Sequence, residues 1–258
     1  MRGATSAIWV MMALGPPLLG GEPADIVARH LARLDSLKTL VLRVERVTTY
    51  RGKSQTERWT FSQKAPSCFR IEVEFPTRRT IVANEAELWE YIPEAKKAAR
   101  TDLAALGARE REATLRAALS RVALDGLRFE AGGTDRELHY AGAEQVDGRP
   151  AHRIECRRPG DPKGEVACGW IDAERGVLLR SGLLDKRGRT LASTQASDFA
   201  EVAPGTWFPR RLSLTLLGPR GRSQELTFKR VEINSKLPDD LFTFQVPEGV
   251  EVVGPQGK

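Results

Sequence analysis

The clearest alternation of apolar and polar residues lies in residues 64–93. Apolar side chains occupy every second position over residues 69–75, and charged side chains fill the positions between them. This period of two predicts a strand with one buried face and one solvent-exposed face. Pro66 and Pro76 bracket the run, because proline cannot donate a hydrogen bond to a neighbouring strand.

Two shorter runs complete this stretch and predict an antiparallel meander. Residues 80–83 and 88–91 are separated by the polar tetrapeptide 84–87, which is typical of a hairpin connection. Two strands precede them, one over 39–50 and one around 57–61. Each connection is too short for a crossover, so the pairing is expected to be antiparallel.

The same alternation returns in the second half of the chain and predicts seven further strands. Turn pairs such as Asp147-Gly148 and Arg175-Gly176 separate them. They cover residues 136–143, 151–157, 166–172, 177–184, 191–199, 207–217 and 223–233, and residues 240–247 add a short extended tail. The total of about 11 to 12 strands suits a strongly curved sheet or an incomplete barrel.

Two regions show helical spacing instead. Residues 23–37 predict an amphipathic N-terminal helix, with Pro23 suited to its first turn. From Glu94 onward leucines recur at helical intervals, and Gly107 is expected to divide this region into two helices. Helices inserted in the middle of a sheet must cover one of its faces, so they predict a lid. The fold class is α+β, mostly antiparallel β.

The N-terminus has the pattern of a secretory signal. An early Arg2, a short apolar core and small residues follow one another over residues 1–21, with cleavage expected near Gly20-Gly21. The apolar core is too short to span a bilayer, which needs about 20 residues. We expect an exported, periplasmic protein. Residues 22–258 show no second composition regime, so they predict a single domain.

Charge and motifs narrow the function classes. The net charge of +6 comes from dispersed basic pairs without stacking aromatic residues, which argues against nucleic-acid binding. No nucleophile motif, zinc-protease motif or phosphate loop appears, and His139 and His152 lie in predicted strands. We therefore expect no catalytic residues, no metal and no cofactor, and a binding protein rather than an enzyme.

The chain has three cysteines. Cys156 and Cys168 flank the turn around Pro162 at equal distances, so a regular hairpin would place them opposite each other. An oxidising compartment would then favour a disulfide, with Cys68 left as a thiol. Two buried thiols are the competing interpretation, and both stay open at this point.

The order of residues in the meander resembles a known family. A proline precedes the strand around Phe69, a second proline follows it, and the run ends in Leu88-Trp89-Glu90-Tyr91-Ile92-Pro93. This pattern, with a similar closing segment at 241–252, resembles the LolA superfamily of periplasmic outer-membrane lipoprotein carriers. The carriers have an arginine before the first proline that ties down the lid. Ala65 stands in its place, so the lid is expected to be held by other contacts, through Lys64 or Arg70, or to be held only loosely.

The resemblance implies an open barrel that shields acyl chains of lipoproteins or other lipids in an apolar cavity. It implies a monomer, with transfer partners in the inner and outer membranes. The alternative is an RseB-like envelope sensor that uses the same fold to bind a regulatory protein. The candidate lipid-binding residues are Trp59, Phe61, Phe69, Ile71, Val73, Trp89 and Tyr91, and the candidate lid residues are Leu103, Leu106, Leu115 and Leu119. The strand pattern leaves open which of the former face the cavity.

Overall fold

The computed structural model describes residues 21–120, 124–129, 136–161, 164–217 and 221–254, so the predicted signal segment lies outside it apart from Gly21. The helices are α1 (Pro23–Asp35) and α2 (Ala108–Leu119). The strands are β1 (Thr39–Tyr50), β2 (Lys53–Lys64), β3 (Cys68–Phe75), β4 (Arg79–Ala83), β5 (Glu87–Ile92), β6 (Lys97–Asp102), β7 (Glu137–Val146), β8 (Arg149–Arg157), β9 (Val166–Asp172), β10 (Leu178–Leu184), β11 (Thr190–Ala203), β12 (Thr206–Leu216), β13 (Arg222–Ile233) and β14 (Glu251–Val253). Short 3-10 helices occupy Pro93–Ala95, Leu124–Leu127 and Asp239–Phe242.

The 14 strands of the described residues form one sheet, in the order β14-β6-β5-β4-β3-β2-β1-β13-β12-β11-β10-β9-β8-β7. The strands pair antiparallel, except that β14 runs parallel to β6. The sheet does not close, because β14 and β7 lie at its two edges. This confirms the predicted mostly antiparallel, incomplete barrel with helices.

Tight hairpins fix the register at two turns, one of which, Asp147-Gly148, is predicted from the sequence. Arg51 and Gly52 join β1 to β2 with φ angles of 50° and 74°. Asp147 and Gly148 do the same between β7 and β8, with φ angles of 49° and 75°. Two successive positive φ angles are typical of the turn type that matches the twist of paired strands, and glycine adopts them without strain.

The region after Glu94 corrects the prediction of two helices. Residues 97–102 form β6, in which Ala98 is the only buried residue, so the strand has no apolar alternation to reveal it. It forms because its backbone pairs with β5. Gly107 is the N-cap of α2 rather than a break between two α-helices. The predicted tail also differs, since residues 239–242 are a 3-10 helix and the last strand is β14.

The main apolar cluster lies on one face of the sheet, which we call the inner face. Its buried members are Leu40, Leu42, Val44, Trp59, Phe61, Phe69, Ile71, Ile81, Ala83, Ala118, Leu127, Ala196, Phe208, Leu212, Leu226 and Phe228. Leu115 and Leu119 of α2 pack against it. A second cluster continues along this face beneath α1 and contains Ile26, Val27 and Phe129. Both α-helices therefore cover the inner face, and for α2 this agrees with the expectation that mid-chain helices cover one face of the sheet.

Candidate functional site

A cavity of about 490 Å³ lies between α2 and the adjoining ends of β2 and β3. Its lining consists of Gln63, Pro66, Ser67, Cys68, Phe69, Glu112, Leu115, Arg116, Leu119 and Arg128. Apolar contacts come from Phe69 at the sheet and from Leu115 and Leu119 on the helix. The volume falls within the range of about 300–1,000 Å³ that is usual for small-molecule sites.

The charged side chains that line this cavity are exposed to solvent and lie at its rim. Glu112 and Arg116 form an ion pair of 2.9 Å along α2, and both side chains are 70% exposed. The guanidinium of Arg128 is 3.0 Å from the Asp35 carboxylate at the end of α1. Phe69, in contrast, is 2% exposed. The cavity thus has an apolar wall and a polar rim, an arrangement that suits an amphipathic ligand.

Strand register divides the seven candidate lipid-binding residues between the two faces of the sheet. Five of them lie on the inner face, where Trp59 is opposite Val73 and Phe61 is opposite Ile71. Trp59, Phe61 and Ile71 are at most 3% exposed and belong to the main cluster, and Val73 packs against it. Only Phe69 of the five also lines the cavity.

Trp89 and Tyr91 lie on the outer face, so these two candidates do not line the cavity. Their rings pack against Phe244, with centroid distances of 5.2 Å and 5.5 Å. Leu88 is the residue of β5 that packs on the main cluster. The face of these two residues was ambiguous in the sequence because apolar residues occupy both sets of alternating positions in this short strand.

The four candidate lid residues do not share one helix face. Leu115 and Leu119 lie on α2 and line the cavity. Leu103 is fully buried but follows β6, and Leu106 lies in the turn before α2. The Arg111 Nε of α2 donates to the Leu103 carbonyl oxygen over 3.0 Å, so Leu103 helps to anchor the start of the helix.

Lys64 and Arg70 hold the C-terminal segment rather than the lid. Lys64 forms an ion pair with Asp239, and Arg70 Nη1 donates to the Leu241 carbonyl oxygen over 3.3 Å. The Asn84 amide adds a hydrogen bond of 3.2 Å to the Phe242 carbonyl oxygen. The expectation that either basic residue replaces the missing lid arginine is therefore wrong.

Each of the three cysteines is a thiol, so of the two interpretations left open for Cys156 and Cys168 the structure agrees with two buried thiols. The register pairs Cys156 with Ala167 and Cys168 with Glu155. Cys156 thus lies in the second cluster on the inner face, whereas Cys168 packs with Trp170 on the outer face. Burial raises the pKa of the Cys68 and Cys168 thiols, which keeps both protonated at neutral pH.

Residues 126–129 form a part of the inner face that the sequence pattern did not indicate. Leu127 joins the main cluster and Phe129 joins the second cluster, while Arg128 between them lines the cavity. The alternation of Leu127 and Phe129 was a signal for this segment. This segment follows the region of helical spacing directly, and two residues are too few to establish a strand-like pattern.

Two absences hold for the described parts of the chain. Within those residues, none of the helices has the length and apolar content needed to cross a bilayer. The same residues contain no group of three or more histidine, cysteine or acidic side chains placed to hold a metal ion.

A family model described only as "uncharacterized protein" matches residues 77–246. The chain belongs to this family. None of the curated proteins matches the chain.

Solved structures match the fold across most of the chain. A DUF1329 family protein from Desulfovibrio piger gives a TM-score of 0.60 at 15% identity, covering 86% of this chain and 95% of that one. A domain described as an outer-membrane lipoprotein-sorting protein domain from Vibrio parahaemolyticus gives 0.55 at 13% identity, covering 84% and 94%. A LolA superfamily protein from Nitrosomonas europaea gives 0.53 at 15% identity, covering 84% and 97%. The fold is therefore LolA-like.

In this LolA-like fold the cavity occupies the inner face beneath the mid-chain helix. Three of the sequence-predicted residues meet there, namely Phe69, Leu115 and Leu119. The other predicted residues support the cavity from the core or belong to the outer face.

Proposed function

We propose that the protein is a periplasmic carrier that shields acyl chains of lipoproteins or other lipids during transfer towards the outer membrane. In this proposal residues 22–258 act as one monomeric binding domain after removal of the signal segment, and the protein is not an enzyme. The observation that supports it best is the cavity beneath α2, with its apolar wall and charged rim. The LolA-like fold is consistent with this role.

An acyl chain in this cavity would contact Phe69 of the sheet and Leu115 and Leu119 of the helix. Each methylene group removed from water contributes about 0.8 kcal/mol. The headgroup would remain at the rim, near the exposed ion pair of Glu112 and Arg116. Since α2 meets the main cluster through few side chains, moving this helix would expose the cavity for loading and release.

Native mass spectrometry of protein purified from its own envelope tests the proposal. We expect a fraction with an additional mass that fragments as a lipid or lipoprotein, and binding of a fluorescent acyl probe to the delipidated protein. A uniformly ligand-free mass together with no probe binding would overturn the proposal. A stable protein partner in pull-down experiments, without lipid binding, would favour the regulatory alternative.

A double variant tests whether the acyl probe binds in this cavity. Leu115→Asn with Leu119→Asn places two polar groups on the apolar wall, and each unpaired buried amide costs about 1–3 kcal/mol. Probe affinity should fall roughly tenfold or more, because 1.4 kcal/mol corresponds to a factor of ten. Leu216→Asn is the matched control, since Leu216 is 55% exposed and lies on β12. Equal probe affinity in the two variants would place the ligand elsewhere.

A further inference from the structure

A second cavity of about 310 Å³ lies between the C-terminal half of α1 and the hairpin of β11 and β12. Its apolar wall consists of Leu34, Leu37, Leu127, Val177, Leu178, Phe199, Trp207, Phe208 and Pro209. It shares no lining residue with the cavity beneath α2. The volume is at the lower end of the usual range for small-molecule sites, so it suits one aliphatic chain rather than a two-chain lipid.

Arg33 supplies a cationic group at this cavity. Its side chain packs on Gly176, where an added Cβ atom would lie 3.0 Å from the guanidinium Nε. The ion pairs among the described residues include no carboxylate partner for Arg33, whereas Arg128 at the first cavity is paired with Asp35. Arginine recognises a carboxylate through two parallel hydrogen bonds, so an unpaired guanidinium beside an apolar wall suits a carboxylate headgroup.

The neighbouring groups include a second guanidinium, a neutral histidine and the carboxylate of Glu201, whose Oε1 accepts from the backbone N–H of the lining residue Gly205 over 2.7 Å. Arg175, the residue before Gly176, stacks on Trp207 with its guanidinium carbon 3.4 Å from the ring centroid. His30 is 2% exposed, and its Nδ1 donates to the Gly176 carbonyl oxygen over 3.1 Å. Burial, together with the charges of Arg128 and Arg33, lowers the pKa of His30 and keeps the ring neutral. A negative headgroup paired with Arg33 would therefore lie near a second guanidinium group, that of Arg175.

We propose that this second cavity binds a single-chain aliphatic carboxylate, with the chain against Trp207 and Leu37 and the carboxylate paired with Arg33. This site is separate from the acyl-chain cavity of the proposed function. Its ligands would be free aliphatic acids, whereas the proposed function of the first cavity concerns the acyl chains of lipoproteins or other lipids. Because the two cavities share no lining residue, their occupancies can be tested independently.

Calorimetric titration of the full mature chain with dodecanoate, and with dodecanol as the uncharged comparison, tests the site. Dodecanoate should bind more tightly than dodecanol, and Arg33→Gln should weaken dodecanoate about tenfold or more while leaving dodecanol nearly unchanged, because hydrogen bonds between two charged groups are about twice as strong as those between neutral groups. Arg29→Gln is the matched control, since Arg29 is exposed one turn earlier on the same helix. Equal losses in the two variants, or no binding of dodecanoate, would overturn the proposal.

A cavity-filling variant separates this site from the first cavity. Leu37→Trp should abolish dodecanoate binding and leave binding of the acyl probe beneath α2 unchanged. The double variant of Leu115 and Leu119 should show the opposite pattern. If dodecanoate binding is lost only in the Leu115 and Leu119 variant, the carboxylate binds in the first cavity and the second-site proposal is wrong. Thermal melts identify a variant that fails to fold, in which case Arg33→Gln decides the outcome.

Discussion

The ring of Phe129 lies directly on the backbone of Gly169, so close that a Cβ atom on Gly169 would be 2.6 Å from it. Phe129 is 5% exposed and belongs to the second cluster of the inner face. The contact fixes residues 126–129 between the two cavities. Any side chain at position 169 must displace the ring or the strand.

Gly169→Ala should therefore destabilise the protein by about 1–3 kcal/mol, the usual cost of forcing an extra methyl group into a packed core. Urea unfolding followed by circular dichroism measures the change. Gly182→Ala on β10 is the control, because its nearest contact would be an ordinary 3.6 Å. Equal stability of both variants would show that Phe129 is not held against β9.

The contact of Phe244 with Trp89 and Tyr91 predicts a structural role for these aromatic residues. Phe244→Ala should destabilise the protein by more than the aromatic-pair contribution of about 0.5–1.5 kcal/mol, since burial is lost as well. Phe75→Ala is the control, because Phe75 is 46% exposed. Acyl-probe affinity should be unchanged in Phe244→Ala. A large loss of acyl-probe affinity without a loss of stability would show instead that the outer face takes part in binding the acyl chain.

The strands were predictable wherever apolar alternation was strong. Residues 39–50 and 166–172 were predicted with the same ends as β1 and β9. β6 was not predictable, because its apolar positions are only alanines and its strand form depends on pairing with β5. Leu103 and Leu106 follow it at a spacing of three, which imitates a helix. The local pattern therefore pointed to the wrong element.

The site was less predictable than the fold, because it depends on register and on distant contacts. A shift of one residue in a strand pair moves a side chain to the other face of the sheet. The faces of Cys168 and Trp89 could therefore be assigned only once the register was known. The ion pair of Lys64 joins residues 175 positions apart. No local pattern reveals that Lys64 meets Asp239 instead of the lid. Leu115 and Leu119 were predictable because helical spacing is a local property.

The placement of Cys156 and Cys168 on opposite faces predicts that no intramolecular disulfide forms even in an oxidising compartment. Protein purified from the envelope and unfolded without reductant should react with three equivalents of iodoacetamide, since the chain has three cysteines. Prior reduction should leave this number unchanged. Labelling of a single cysteine before reduction and of three afterwards would contradict the observed register.

Two buried histidines predict that stability falls in mild acid. Burial lowers the pKa of both His30 and His152 from the ordinary value of 6.5, and the charge of Arg29 adds to the effect at His152. Between the folded pKa and 6.5 the unfolded chain binds more protons than the folded chain, so the free energy of unfolding decreases as the pH decreases. The contribution of each histidine is fully present above 6.5 and is lost as the pH falls through its folded pKa. Urea unfolding of the wild type at pH 7.5 and at pH 5.5 measures this loss.

His30→Gln should reduce the difference in unfolding free energy between the two pH values, because the group that must gain a proton is gone. His139→Gln is the matched control, since His139 is exposed and its side chain is 49% accessible beside Glu137. The His139 variant should keep the pH dependence of the wild type even if its absolute stability changes. An unchanged difference in His30→Gln would mean that the pKa of His30 is not lowered in the fold, because the hydrogen bond to the Gly176 carbonyl oxygen offsets the effect of burial.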